Sequence, residues 1–130
     1  MTSDSPSDQL PPEVADFIIR HLDSVAELEA LLLTRSAGGA WDAERLASRL
    51  YSSTNTAREV LGALHRKRLV NEAEGVFTYA PASPSLRASA DALAAAYPRF
   101  LIPITRLIHD KPSSSLRAFS DAFRLRDPED

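Results

Sequence analysis

One stretch in the middle of the chain, residues 41–79, constrains the fold more than any other. It begins with two segments, 41–50 and 55–64, whose apolar residues recur every three or four positions, as on one face of a helix. A short polar turn, 52–55, joins the two segments, and two runs of alternating apolar and polar residues follow them. The order predicts two helices across a tight turn and then a β-hairpin.

The alternating runs, 69–72 and 76–79, predict the two strands of that hairpin. The turn between them, 73–75, contains Gly75, which adopts the positive backbone angles of a tight turn at no steric cost. Trp41 lies just before the first helix of the stretch. We expect it to form a very short strand beside the hairpin and to pack the core there.

Capping residues predict where the helices begin. Asp42 is a suitable N-cap for the first helix of the stretch, and Thr56 with Glu59 forms a capping box for the second, with Asn55 as the alternative cap. Nearer the N-terminus, Pro12 suits the first turn of a helix. A further helix is expected after Ser24, because Glu27 completes a capping box there, and Gly38 and Gly39 end that helix.

Composition excludes several kinds of chemistry. The 130 residues include no cysteine, so disulfides and thiolate metal sites are excluded. The histidines, His21, His65 and His109, lack metal-ligand spacing, and the four glycines form no phosphate-binding loop. No serine lies in a nucleophile elbow. We therefore predict no enzyme, no metal, no cofactor and no catalytic residue.

The N-terminal residues, 1–12, are rich in Ser, Asp and Pro and are predicted to be a disordered leader. They lack the apolar core of a signal peptide, and no apolar run is long enough to span a bilayer, so we expect a cytoplasmic protein without a membrane segment. The net charge of −3 lies mainly in residues 1–40, which hold two basic and seven acidic residues.

A long helical pattern occupies residues 84–109, and its apolar residues are spaced alternately by four and three. Pro98 and Pro103 interrupt the pattern, so we expect a kinked helix or two helices that share a face. Two interpretations of this seam remain open: it joins two copies of the chain into a homodimer, or it packs against the helices of its own chain. The residues concerned are Leu86, Leu93, Tyr97, Phe100, Ile104 and Leu107.

The last segment, 113–130, is predicted to form a short amphipathic helix and a tail. Leu116, Phe119 and Phe123 lie on one side of that helix, and exposing two phenylalanines to water is unfavourable. The segment therefore binds a partner surface, for which two interpretations are open. It docks on its own domain or on a second copy, or it inserts into a groove on another protein.

Taken together, segments 41–50 and 55–64, with Leu69 and Val70 after them, resemble a winged helix-turn-helix and are similar to MarR-type small bacterial transcriptional regulators. The resemblance implies a mostly α (α+β) fold. It consists of a winged helix-turn-helix domain over residues 13–80, with a small β-hairpin wing and a C-terminal helical extension. It also implies a regulator that inserts its recognition helix, which starts near Asn55, into the major groove of double-stranded DNA.

Asparagine and arginine can form bidentate hydrogen bonds with base edges, and hydroxyl groups can form hydrogen bonds with bases or phosphates. A simpler interpretation is open for each candidate residue, namely that it is a solvated polar residue near a helix end. The predicted DNA-binding residues are Ser53, Thr54, Asn55, Thr56, Arg58 and Arg66 from the turn and the second helix, and Arg45 and Arg49 from the first helix.

Two features depart from the DNA-binding pattern. The tip of the wing carries Glu72 and Glu74, whose carboxylates repel phosphate. Arg68 stands where related sequences often have the glycine that ends the recognition helix. A competing function follows from the acidic wing, namely a winged-helix adaptor that binds no DNA and regulates a protein partner through its wing or its C-terminal helix.

Overall fold

The computed structural model describes residues 9–111, which form six helices and one two-stranded antiparallel sheet. The mostly helical α+β fold is therefore confirmed, and the order of elements gives a winged-helix-like layout. The helices are α1 (Pro12–His21), α2 (Val25–Ala37), α3 (Ala43–Leu50), α4 (Thr54–Arg66), α5 (Pro84–Ala96) and α6 (Leu101–His109), and the strands are β1 (Val70–Ala73) and β2 (Val76–Tyr79).

Several predicted helix starts are confirmed. Pro12 is the first residue of α1, where its missing N–H is not needed. Ser24 Oγ accepts a hydrogen bond from the Glu27 amide at the start of α2. Asp42 Oδ1 accepts one from the Arg45 amide, at 2.8 Å, at the start of α3. Each side-chain oxygen satisfies an amide that has no partner within its helix.

The α4 helix starts near Asn55, as predicted, but its predicted cap is wrong. The helix begins at Thr54, two residues before Thr56, and neither Thr56 nor Asn55 is its cap. Ser53 caps it, because its Oγ accepts a hydrogen bond from the Thr56 amide at 3.0 Å. Tyr51 ends α3 with left-handed backbone angles, which shortens the connection and brings Ser53 to the capping position.

The hairpin and Trp41 lie where they were predicted, except that β1 begins and ends one residue later than the predicted run 69–72. β1 pairs with β2 from Val70 opposite Tyr79 to Ala73 opposite Val76. Trp41 forms a single antiparallel bridge on the far side of β2. The Trp41 amide donates to the Phe77 carbonyl at 2.8 Å, and the Phe77 amide donates to the Trp41 carbonyl at 2.7 Å. Its ring is fully buried, and Nε1 donates to the carbonyl of Gly38. The expected short strand is therefore confirmed.

The C-terminal pattern forms two helices, which confirms the second of the two predicted arrangements. Pro98 lies in the break between α5 and α6. Pro103 was expected to interrupt the helix, and this is wrong. It is the third residue of α6, so its missing N–H falls among the amides that lack a partner within the helix anyway.

The seam of α5 and α6 faces inward. Leu93, Phe100 and Ile104 are buried, while Leu86, Tyr97 and Leu107 are partly buried against the same core. Both helices pack on α1, and α6 also contacts α2. The interpretation that the seam packs within its own chain is therefore confirmed, and the pairing of two copies through it stays a prediction.

Charged side chains tie the end of α4 to the N-terminal helices. Lys67 Nζ donates to Asp23 Oδ2 at 3.0 Å and to Glu27 Oε1 at 2.5 Å, and all three side chains are largely buried. Lys111, just after α6, donates to the carbonyls of Ile18, Ile19 and Leu22 at the end of α1, and its Nζ lies 3.6 Å from Asp23. The end of α4 and the end of α6 therefore share one acidic residue.

Two predicted features fall partly or wholly outside the described residues. The leader, 1–12, is described only from residue 9, where Leu10 packs against the core. The predicted segment 113–130 lies outside the described residues, and with it Leu116, Phe119 and Phe123.

Candidate nucleic-acid interface

The outward face of α4 carries most of the predicted contact residues. Asn55, Thr56, Arg58 and Arg66 are all exposed, while the opposite side of the helix is buried in the core. Arg58 Nη1 donates to Asn55 Oδ1 at 3.3 Å, so the amide and the guanidinium lie side by side near the start of the helix. The structure therefore brings together the two side chains that are best suited to reading base edges.

The hydroxyl groups at the start of α4 already have partners. Ser53 Oγ accepts from the Thr56 amide and donates to Thr56 Oγ1 at 2.9 Å. Thr54, the first residue of the helix, is half-buried. Helix capping accounts for Ser53 and Thr56, which is the simpler interpretation that the sequence left open for them.

The two arginines of α3 differ in their surroundings. Arg45 Nη1 donates to the Ala40 carbonyl at 2.6 Å, and its guanidinium lies 3.9 Å from the centre of the Trp41 ring. Arg45 therefore secures the loop before α3. Arg49 lies one turn further along, with its guanidinium 5.9 Å from the same ring, and its side chain is exposed.

Sequence reasoning missed Tyr51, which lies in the turn between α3 and α4. Its side chain is 96% exposed, and its backbone has a φ of 56°, in the left-handed region that favours glycine. An exposed aromatic ring in a strained position contributes little to folding, so Tyr51 is a candidate contact residue. The sequence signal that could have identified it is its position, directly after Leu50 at the end of α3 and before the polar turn.

Gly62, which helical geometry places on the outward face of α4, was not among the predicted contact residues. A Cβ atom there would meet only Arg66 Nη1, at 3.5 Å, so the fold has room for alanine. A glycine inside a helix costs about 1 kcal/mol relative to alanine. Gly62 therefore lowers the stability of α4 although the fold has room for alanine. Because glycine has no side chain, another molecule can approach the helix backbone closely at this point.

The wing tip shows why one of its acidic residues is present. The Glu72 carboxylate accepts a hydrogen bond from the Gly75 amide at 2.9 Å and so closes the turn of the hairpin. Glu74 also lies in the turn, with a φ of 54°, but within residues 9–111 its side chain makes no hydrogen bond that would explain why a glutamate stands there. Of the two carboxylates at the tip, that of Glu72 therefore has a structural role in the turn.

Arg68 ends α4 in the conformation that a glycine would adopt. Its φ is 65°, and the amides of Arg68 and Leu69 donate to the carbonyls of His65 and Leu64 at 3.0 Å each. Its side chain, with those of His65 and Asn71, lines an open cleft of about 360 Å³ between α4 and the wing. The departure from glycine thus adds a cation beside the wing at the cost of backbone strain.

The charge of the helix-turn-helix and wing is balanced. Residues 41–80 hold six basic and five acidic residues. Lys67 faces away from the outward side of α4, because its ammonium binds Asp23 and Glu27. The exposed cations of the interface are therefore arginines, and they are set among carboxylates such as Glu59. The surface favours specific contacts over strong general attraction to phosphate.

Two further features were sought in the part of the chain that the structure describes, a metal site and a membrane-spanning helix. Within residues 9–111, no three His, Asp or Glu side chains lie close enough together to hold a metal ion. None of the helices in this range has the length and apolar character that crossing a bilayer requires.

Comparison of the chain with protein-family models, with curated proteins and with solved structures gives no match in any of the three. The likeness to MarR-type regulators therefore stays a prediction from the residues, and the function has to be argued from the interface itself.

Proposed function

We propose that this chain is a cytoplasmic DNA-binding transcriptional regulator of bacterial type, which inserts α4 into the major groove. One observation carries the proposal. The outward face of α4 and the turn before it present groups that the fold does not need, namely the exposed guanidinium groups of Arg58 and Arg66, the exposed ring of Tyr51 and the missing side chain of Gly62. A glycine that weakens its helix and exposed side chains that pack on nothing indicate a surface kept for binding.

The dimensions and chemistry of α4 support this proposal. A major groove about 12 Å wide admits one α-helix with its side chains. Asn55 and Arg58 lie in the first turns of α4, and the first turns of a recognition helix are the part that meets base edges. Gly62 follows on the same face and lets the backbone come close to the groove. Arg49 and Tyr51 lie beside this face at the end of α3, within reach of a phosphate strand.

The first experiment selects duplexes from a random pool with the full chain and measures the affinity of the best duplex across a salt series. We expect Arg58→Ala to weaken binding at least tenfold and to relax the choice of base at one position, as loss of a two-bond base contact does. We expect Arg66→Ala to weaken binding on all sequences alike.

The matched control for these variants is Arg20→Ala. Arg20 is an exposed arginine of α1 that pairs with Asp16 on the same helix and is not one of the predicted contact residues. It removes the same charge from the whole molecule, so its affinity for the selected duplex should stay near that of the unchanged chain. If no duplex is enriched at low salt, or if all three variants weaken binding equally, the proposal is wrong.

The acidic wing supports a second candidate function, an adaptor that binds a protein instead of DNA. Glu74→Lys separates the two candidates, and Glu74→Gln serves as its neutral control. If the wing lies near phosphate, Glu74→Lys tightens binding to DNA and Glu74→Gln tightens it less. If a basic protein surface binds the wing, both variants weaken that complex and leave DNA binding absent.

A further inference from the structure

A groove between α1 and α6 exposes apolar side chains on the side of the molecule that carries the C-terminal helices. It is lined by Leu10, Ala15, Ile102, Pro103 and Leu107, together with the charged residues Arg106 and Asp110. Ile102 is 60% exposed. A soluble domain rarely leaves such side chains together without a partner.

The exposed apolar residues are concentrated here. Five large apolar side chains of residues 9–111 are well exposed, and three of them, Ile19, Leu101 and Ile102, belong to α1 and α6. Ile19 follows Ala15 by one turn, so it extends the apolar surface of α1 from the groove toward the end of that helix. We call the groove and these neighbouring side chains the α1–α6 surface.

The chain leaves the described region beside this surface. Lys111 lies directly after α6, and its ammonium binds the carbonyls of Ile18, Ile19 and Leu22. A further 19 residues, 112–130, follow it in the sequence. Their starting point is therefore held at the end of α1, next to Ile19.

We propose that residues 116–123 of the same chain pack on the α1–α6 surface through Leu116, Phe119 and Phe123. These residues have the spacing of one helical face, and they supply the large apolar groups that the surface lacks. The five residues from Lys111 to Leu116 reach up to about 17 Å when extended. The nine residues of α6 span about 13 Å, so Leu116 reaches any part of the groove.

The short connection favours this segment over a second copy as the occupant. A segment tethered by a few residues is present at an effective concentration of about a millimolar, far above the concentration of a second protein molecule in solution. The residues that line the groove belong to α1, α6 and the residues beside these helices, and none belongs to α4, so the proposal does not depend on whether the chain binds DNA.

Chemical cross-linking tests the proposal, because the chain has no cysteine of its own. The full-length variant Arg106→Cys with Ala118→Cys places one thiol on the groove and one beside Phe119, and leaves the apolar residues intact. A short bismaleimide should join the two thiols within one chain. The control pairs Ala118→Cys with Thr78→Cys, on the exposed strand β2, and should give little product.

The masses of the cross-linked products decide among the outcomes. A cross-link within one chain, in the groove pair alone, supports the proposal. Products of twice the mass would show that a second copy occupies the surface and would overturn it. Equal yields from both pairs, or no cross-link in either, would overturn it as well.

Denaturation provides a second test that needs no cross-link. Ile102→Ser and Phe119→Ser should each lower the urea midpoint of the full chain. Their combination should lower it by less than the sum of the two, because the same contact is removed twice. Strictly additive losses, or no loss from Phe119→Ser, would contradict the contact.

Discussion

At the scale of single residues, this chain places three side chains where glycine is the usual choice. Among residues 9–111, Tyr51, Arg68 and Glu74 have φ values of 56°, 65° and 54°. Each such position costs about 1 kcal/mol for a residue with a Cβ atom. All three lie around α4 and the wing, so the strain is concentrated at the candidate interface.

Replacing Arg68 with glycine should stabilise the protein. Because Arg68 is in the left-handed region at the end of α4, Arg68→Gly should raise the free energy of unfolding by about 1 kcal/mol. Urea denaturation measures the change. Arg66→Gly is the control, since Arg66, the last residue of α4, does not have a positive φ, so glycine there should not raise stability. An unchanged or lower midpoint for Arg68→Gly would show that its backbone is not strained.

His21 should make folding depend on pH. Burial of its ring against Phe17 lowers the pKa of His21 below the ordinary value of 6.5, and the positive charge of Lys67 acts in the same direction. The unfolded chain then takes up a proton at a higher pH than the folded chain. The contribution of His21 to stability is therefore fully present above about pH 6.5 and decreases as the pH falls through the folded-state pKa.

The measurement for His21 is a set of urea unfolding curves between about pH 7.5 and pH 5. The unchanged chain should lose more stability over this range than His21→Gln, which has no proton to gain. Parallel losses in the two proteins would mean that the acid sensitivity arises from other groups.

At the scale of elements, α4 joins the interface to the core. Substituting Gly62 should separate the contribution of α4 to folding from its contribution to binding. Gly62→Ala should raise the free energy of unfolding by about 1 kcal/mol, because the fold has room for a Cβ atom there. The same change should weaken binding to the selected duplex several-fold if the backbone of α4 approaches the groove closely.

The control for Gly62→Ala is Ser89→Ala in α5, which improves helix propensity on another part of the molecule. It should leave affinity for the duplex unchanged. Higher stability for Gly62→Ala with unchanged affinity would mean that the partner, whatever its class, does not lie against this face.

The elements were largely predictable from the sequence, because periodic apolar residues and capping side chains act locally. Asp42 and Trp41 have the roles that were predicted for them. The cap of α4 was not predictable, because two serines and two threonines compete for it and the left-handed backbone of Tyr51 decides among them. Pro103 was misjudged, because the effect of a proline depends on where its helix begins.

The candidate site was predictable in part. The exposed side chains of Arg58 and Arg66 follow from helical geometry alone. The engagement of Arg45 with Trp41 and Ala40 depends on a packed loop, and local patterns do not reveal it. Helical geometry places Gly62 on the outward face, but the space around it and the backbone angles of Tyr51 are known only from the structure.

At the scale of the whole molecule, α2 connects the helix-turn-helix and wing to the C-terminal helices, and α1 packs on those C-terminal helices. α5 and α6 both contact α1, while α2 contacts α4, β2 and α6. One continuous cluster of buried residues runs from Val14 to Ile108. We therefore expect the helix-turn-helix and the C-terminal helices to unfold together.

A destabilising substitution in α5 should thus lower the urea midpoint at which the wing unfolds. Leu93 is fully buried, so Leu93→Ala should cost about 3 kcal/mol. Trp41, the one tryptophan of the chain, reports on the wing by its fluorescence, and circular dichroism reports on all the helices. Both signals should shift to the same lower urea midpoint. Separate midpoints would show that the two halves unfold independently.

The bridge between Trp41 and Phe77 has a consequence for recognition. A two-stranded hairpin alone is only marginally stable in water. Here a third backbone segment, anchored by a buried indole ring, holds the inner edge of the hairpin against the body of the protein. The wing is therefore preorganised, so a partner that binds it loses little affinity to the entropy of ordering a loose ribbon.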